Sequence, residues 1–272
     1  MVYGTRRRTS TFPLDTNKLE QLVDFKKYLN KRLILKYGDI TDISAIRDFI
    51  YEVKPDEIYN LAAQSFVKVS FDMPYYTTDA NSLGVINILE TLKNYKNISK
   101  KKIRFYQAST SEMFGNSLGR RNKINEETAM HPVSPYGVAK LYSHHMVKIY
   151  RKAYNLFLTN GILFNHESPY RTEHFVTKKI TKGISNIYYG NQDKLFLGNL
   201  NARRDWGHAE DYARAIHKIL SLNEPIDIIL AQGKSHSIRD FIIECFKFLN
   251  IEINFIGKGI NEKVVDLNGK VW

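Results

Sequence analysis

Four apolar runs of strand length, LILKYGD (33–39), EIYNLAA (57–63), IRFYQAS (103–109) and FLTNGILFN (157–165), alternate with segments of helical period. That alternation constrains the fold most. Strands separated by helix-length crossovers lie parallel, and a parallel sheet needs helices on both faces to bury it. The helical segments carry their own start signals. DISAIRDFIYEV follows a Thr41-Asp42 capping pair, while NSLGVINILETLK and SPYGVAKLYSHHMVKIYRKAY place apolar residues three and four apart. The reading is an α/β, doubly wound parallel sheet with strands at 33–37, 57–62, 103–109 and 157–164. Further helix and strand candidates follow residue 170: ITKGISNIYYG, KLFLGNL, HAEDYARAIHKIL and IDIILAQG. They predict a division into a sheet domain at 1–165 and a smaller lobe at 166–272, interleaved with the last strands of the sheet.

Such a sheet ordinarily opens with a strand and a glycine-rich turn whose backbone N–H groups hold a pyrophosphate at a helix N-terminus. The residues read here open instead at MVYGTRRR, which has the character of the end of a second strand. The expectation is therefore a doubly wound sheet lacking its first βα unit, with inner strand edges unpaired and little activity from this span by itself.

With 272 residues, 43% of them apolar, the chain buries a full core. No apolar stretch approaches the roughly 18–20 residues needed to span a bilayer, and no apolar run follows the basic start, so a cytoplasmic protein without membrane association is expected. The lone cysteine, Cys245, sits in a helix-like run and excludes a disulfide framework or thiolate metal cluster; no metal site is expected. A net charge of +12 fits nucleic acid, an anionic membrane surface or small polyanions. Because the lysines are scattered over solvent-facing helix positions, nucleic acid is not the expected partner.

Tyr136 and Lys140 stand four apart on a predicted helix and share one face, where an ammonium favours ionisation of a phenol. Spacing alone carries little weight. About two dozen residues earlier, QASTSEMFG delivers Thr110 and Glu112 to a strand's C-terminal end, where ligands bind in open α/β sheets. Thr110 supplies a hydroxyl for a substrate oxygen and Glu112 a second acid/base.

The blocks YGDITD, EIYNLAAQSFVKVSFDMP, FYQASTSEMFG, SPYGVAKLY, YNLFLTNGILFNHESPYR, FVTKKI, LGNLNARRDWGHAEDY and HSIRDF resemble, in order, those of the GDP-mannose 4,6-dehydratase family. That family is of the extended short-chain dehydrogenase/reductase type, with a Rossmann-like sheet. FNHESP and RRDWGHAEDY are the most particular blocks. The resemblance implies that Thr110, Glu112, Tyr136 and Lys140 are catalytic, with Lys140 also touching the nicotinamide ribose. It implies cofactor contacts from Asp39 and Ile40 beside the adenine, and from Leu61, Ala62, Ala63, Gln64, Ser65, Tyr76, His166 and Arg171. Asn165, Lys178 and Arg204 match positions near the nucleotide-sugar. Arg7 and Arg8, with Thr9 and Ser10 behind them, supply the cations that a 2′-phosphate requires after the second strand, which favours NADP. The sequence departs from the family at Phe66, usually histidine, at Ala62, often glycine, and at Tyr170 and Thr172, in a stretch that is usually arginine-rich.

For the family the implied reaction is conversion of GDP-mannose to GDP-4-keto-6-deoxymannose, a precursor of GDP-fucose, by a lyase that works as a homo-oligomer. Two other readings remain open. A dTDP-glucose 4,6-dehydratase or an epimerase shares the Tyr-Lys helix, but an epimerase needs no acid/base such as Glu112, and the dTDP-glucose enzyme carries an Asp-Glu pair where Ser111-Glu112 stands here. A non-catalytic truncated remnant is the second.

Overall fold

The computed structural model describes residues 1–7, 25–99, 101–117 and 123–272. It divides into two compact units, one of residues 1–163 with 214–230, the other of residues 164–213 with 231–272. Segment 214–230 thus returns to the sheet-bearing unit.

In the first unit, β3 (Glu57–Asn60), β4 (Arg104–Thr110), β5 (Phe157–Leu163) and β8 (Asp227–Leu230) form one all-parallel sheet in the order β3-β4-β5-β8. The run at 33–37 was expected in that sheet, and here the structure differs. As β2 (Leu33–Tyr37) it pairs in parallel with β1 (Val2–Arg6), and no described strand bonds this pair to the other four. Apolar content specifies a strand, whereas its ladder partner is a tertiary choice. The run read as 57–62 ends at Asn60. There the buried side chain donates to Gln107 Oε1 (2.8 Å) and accepts from the backbone of Ala62 (3.2 Å), which turns the chain out of the ladder.

Successive residues of β4 point to opposite faces and so join two cores. Phe105 packs with Ile46 and Ile50 of α1 (Ile43–Val53), with Val85, Ile88 and Leu89 of α4 (Gly84–Ile98), and with Val147 of α5 (Pro135–Tyr154). Tyr106 and Ala108 pack on the other face with Ile216, Ile219 and Leu220 of α7 (Ala209–Leu220). Each such valine, leucine, isoleucine or phenylalanine, fully removed from water, contributes about 1.5–3 kcal/mol. Gly161 on β5 is obligatory, since a Cβ there would stand 2.1 Å from the Tyr106 hydroxyl.

Two short helices, α2 (Val67–Asp72) and α3 (Pro74–Thr78), lead through a π-helical turn, Asp79–Leu83, into α4. The turn holds Asn81 buried, where it exchanges hydrogen bonds with the Gln64 backbone (2.8 and 2.9 Å).

The second unit surrounds a core of Ile180 and Ile184 from α6 (Val176–Tyr188) and Ile238, Ile242 and Phe246 from α8 (Ile238–Phe248). Its strands are β6 (Asn165–Glu167), β7 (Arg203–His208) and β9 (Ser235–Ser237), with a hairpin of β10 (Ile253–Ile256) and β11 (Lys263–Asp266). KLFLGNL, a helix or strand candidate, is neither. Leu195, Leu197 and Leu200 lie partly buried against this core, and Leu195 lies over Gly183, where a Cβ would approach within 2.8 Å. Cys245 is half-buried beside the same core, as its helix position implied. Among the described residues, no helix is long and apolar enough to cross a membrane, and no group of three or more His, Cys, Asp or Glu is placed to hold a metal.

Candidate active site

The C-terminal end of β4 and the start of α5 form the centre of the site in the first unit. Thr110 caps a 3-10 turn, Ser111–Met113, its Oγ1 accepting from the Glu112 backbone (3.2 Å), which leaves the hydroxyl proton available. The chain then turns through Gly115, whose φ of +57° and close approach to the His131 carbonyl admit no side chain. Helix α5 starts under full signals: Ser134 accepts from the Gly137 backbone (3.0 Å) and Pro135 occupies the first turn. At Gly137 a Cβ would meet the Glu112 carbonyl at 2.8 Å, so this glycine lets the helix rest on the Glu112 backbone.

Four sequence-selected residues are thereby carried by two touching elements. Tyr136 is buried at 8% exposure. The Glu112 carboxylate is half-buried and has no hydrogen-bond or ion-pair partner among the described residues. Lys140 is buried at 3% exposure and its Nζ donates to the Ala108 carbonyl (3.0 Å). Burial pushes the Lys140 ammonium down to about 8. A buried cation one helical turn from a buried phenol is a costly arrangement that stabilises a phenolate, as proton abstraction by tyrosine requires.

The turn after β3 leaves Leu61, Ala62 and Ser65 exposed, while Gln64 is braced by Thr77 Oγ1 (3.0 Å) and Asn81. Beyond β2, Asp39 accepts from the backbone and hydroxyl of Thr41 (3.0 and 2.9 Å). Ile40 turns its side chain into the core over Gly84, so any ligand contact there falls to its backbone. Arg7 hydrogen-bonds the Tyr76 hydroxyl, its guanidinium 5.6 Å from that ring's centroid, which joins two sequence-selected residues. Arg8, Thr9 and Ser10 lie outside the described residues.

The remaining sequence-selected residues belong to the second unit. His166 Nδ1 donates to the Phe164 carbonyl (3.0 Å), and the ring stacks on Tyr212 at 4.7 Å. Arg171 pairs with Glu167 (3.2 Å) and covers the Phe175 ring. A cleft of about 460 Å³ is lined by Glu167, Arg171, Thr177, Lys178, Trp206 and Phe241, among others. Asn165 lies on β6 at half burial, and Arg204 on β7 is exposed, donating to the Arg203 carbonyl (2.8 Å). Sequence reasoning missed Asp205, which is buried and accepts three backbone N–H groups, from Gln232, Gly233 and Lys234 (2.9, 2.7 and 3.1 Å). Its signal was an acid between Arg204 and Trp206 in a strand-like block. Trp206 and Phe241 were missed as well, having the appearance of core residues.

A family model described as GDP-mannose 4,6 dehydratase matches residues 1–271. The chain belongs to the GDP-mannose 4,6-dehydratase family. It is 46% identical over 266 residues to the GDP-mannose 4,6 dehydratase of Drosophila melanogaster, covering 97% of this chain and 66% of that protein. Against the GDP-mannose 4,6-dehydratase of Yersinia enterocolitica it is 45% identical over 261 residues, covering 96% of this chain and 68% of that protein. The chain thus spans about two thirds of the length of these relatives. Among solved structures, RMD from Pseudomonas aeruginosa complexed with NADPH has a similar fold, with a TM-score of 0.76 at 22% identity over 96% of this chain and 88% of that one. The family is one of nucleotide-sugar 4,6-dehydratases, and the fold shared with the solved structure is a Rossmann-type α/β fold.

Proposed function

We propose that this chain carries the catalytic residues of a GDP-mannose 4,6-dehydratase that forms GDP-4-keto-6-deoxymannose, on the way to GDP-fucose and related deoxysugars, with NADP as its cofactor. The observation that carries the reading is the buried Lys140 ammonium, held on the Ala108 carbonyl, with Tyr136 one turn before it, Thr110 at the end of the same strand and Glu112 just beyond.

The residues present fit a nicotinamide dinucleotide. The turn after β3 offers small and exposed residues, Lys140 offers a fixed cation, and Arg7 lies at the end of β1, with Arg8 and Thr9 next in the chain. When bound, NADP supplies a hydride acceptor that returns what it takes, so no net oxidation results. Tyr136 removes the proton of the sugar 4-hydroxyl, aided by Lys140, while Thr110 donates to the 4-oxygen. The ketone at carbon 4 acidifies carbon 5, where Glu112 takes the proton and passes it to the departing 6-hydroxyl as water; Tyr136 then gives carbon 5 the proton it took from the 4-hydroxyl, as carbon 6 is reduced. An epimerase requires no such carboxylate, and a Glu112 side chain without a partner among the described residues supports elimination. Asn165, Lys178 and Arg204 are the proposed nucleotide-sugar contacts, and His166 and Arg171 the proposed cofactor contacts of the second unit.

In full-length protein, GDP-mannose deuterated at carbon 4 is expected to give a product deuterated at carbon 6 without added reductant. Exchange of the label with solvent, or a product epimeric at carbon 4, overturns the reading. Arg7→Ala with Arg8→Ala is expected to weaken NADP at least about tenfold more than NAD, through loss of charge-assisted bonds to the 2′-phosphate. Equal losses in titrations of the two cofactors contradict that role.

A homo-oligomer is proposed on the outward face of α5, where Val138, Tyr142 and Ile149 stay 44–55% exposed at spacings of four and seven.

A further inference from the structure

Behind the candidate site lies a buried polar chain that the reaction above does not use. His144 of α5 is 2% exposed, and its Nδ1 is 3.2 Å from Ser109 Oγ on β4. Ser109 Oγ is 3.3 Å from Asn160 Oδ1 on β5. Asn160 Nδ2 donates to Asp227 Oδ1 on β8 (2.9 Å) and to the His144 carbonyl (3.1 Å). Arg151, two turns beyond His144, grips the Asp227 carboxylate with both terminal nitrogens and donates Nε to the Leu158 carbonyl (2.6 Å).

Proton counting gives this chain a direction. Both amide protons of Asn160 are used, and the reverse amide orientation would set its oxygen against the Asp227 carboxylate and the His144 carbonyl. Asn160 Oδ1 must therefore accept, and the single Ser109 hydroxyl proton is its donor. Ser109 Oγ in turn accepts from His144 Nδ1–H. His144 is thus protonated on Nδ1, and the bonds run one way, from His144 through Ser109 and Asn160 to Asp227, whose charge Arg151 balances.

Burial lowers the His144 pKa, against the opposing pull of Asp227, while Lys148, His145 and Arg151 add to the lowering. For Asp227, burial opposes ionisation, but the Arg151 hydrogen bonds and charge outweigh it and hold the carboxyl below its ordinary range.

Position explains what the chain is for. Tyr136, Lys140 and His144 recur every four residues on one face of α5. Lys140 bonds the backbone of Ala108 and His144 the side chain of Ser109, so successive turns of α5 hold successive residues of β4, immediately before Thr110. Apolar packing resists separation of a helix from a sheet but is tolerant of sliding; directional bonds between buried groups are not. We propose that His144, Ser109 and Asn160 are positioning residues that fix α5 in register on β4, and so set Tyr136 and Lys140 against Thr110 and Glu112. This rests on the dehydratase reading of those four residues.

The test compares His144→Leu with His144→Asn in the full-length protein, because the asparagine Nδ2 lies near the position of the histidine Nδ1 and keeps the donor to Ser109. His144→Leu is expected to lower kcat by about tenfold or more, with KM for GDP-mannose little changed, and His144→Asn to restore most of kcat. A folded leucine variant with undiminished kcat, or an asparagine variant no better than leucine, overturns the proposal. Two spectroscopic readouts need no turnover. Nitrogen NMR of histidine-labelled protein should show His144 as the Nδ1–H tautomer across neutral pH, and the Tyr136 ring-carbon shift should move in the leucine variant and return in the asparagine variant. An Nε2–H tautomer, or an unmoved Tyr136 signal, contradicts the positioning role whether or not GDP-mannose is the substrate. Absence of turnover in the unsubstituted protein, with both signatures present, instead counts against the dehydratase reading alone.

Discussion

Replacing Glu112 by glutamine in full-length protein is expected to cut turnover of GDP-mannose by about 10²–10⁴-fold while leaving binding of the nucleotide-sugar within a few-fold. The carboxylate is half-buried without a partner among the described residues, and only its backbone supports the fold, through the cap from Thr110 and the contact with Gly137. An amide of the same size therefore leaves the structure as it was, with a stability change inside about 0.5 kcal/mol. What it removes is the basic oxygen proposed to take the carbon 5 proton, an interaction made in the transition state, so the loss is expected on kcat and not on ground-state binding. Single-turnover measurement adds a sharper expectation: oxidation at carbon 4, for which Tyr136 is the proposed base, still occurs, and the keto sugar accumulates without losing water. Wild-type turnover by the variant removes Glu112 from the mechanism. A large loss of thermal stability would show that the side chain is structural.

The site and the sheet were legible in different degrees. β4, β5 and α5 were readable because each is specified locally: strand-length apolar runs for the first two, and a Ser134-Pro135 start with three-and-four spacing for the helix. Thr110 and Glu112 followed from the rule that ligand-binding residues stand at strand C-termini, Tyr136 and Lys140 from their four-residue spacing on a predicted helix joined to the family resemblance, and the two elements that carry them do touch. What stayed hidden depended on partners remote in sequence. LILKYG reads as a strand, yet nothing in it shows that it pairs with VYGTR and not with the sheet of β3. KLFLGNL alternates as a strand does, but its leucines serve a core without a ladder. Ile40 is singled out by the family resemblance, and only the structure shows that its side chain packs in the core over Gly84. SHHMVK resembles a solvated basic helix face; that His144 is buried there is known only once Ser109, Asn160 and Asp227 arrive from three different strands.

Lys140→Met is expected to do what few core substitutions do, raising stability while destroying activity. The ammonium is 3% exposed, its one hydrogen bond among the described residues is to a neutral carbonyl, and burial alone pushes it down to about 8 from an ordinary 10.5. A displacement of that size corresponds to about 3 kcal/mol of cost to the folded state at neutral pH. The sign follows from proton counting. Below about pH 8 the lysine is charged in both states and the folded protein carries the whole penalty. Between about 8 and 10.5 the unfolded chain holds more protons than the folded one, so stability attributable to this residue rises with pH, and above that range the penalty is gone. Methionine fills a similar volume without charge, and the Ala108 carbonyl is not orphaned, since Gln107 Nε2 already donates to it (3.1 Å). The variant should therefore melt several degrees higher than the unsubstituted protein at pH 7, with the gap closing toward pH 10.5, while turnover falls by orders of magnitude. A lower melting temperature, or a gap that does not change with pH, would mean that Lys140 is stabilised by an interaction other than the one described, and would remove the reason for regarding its burial as a cost borne for catalysis.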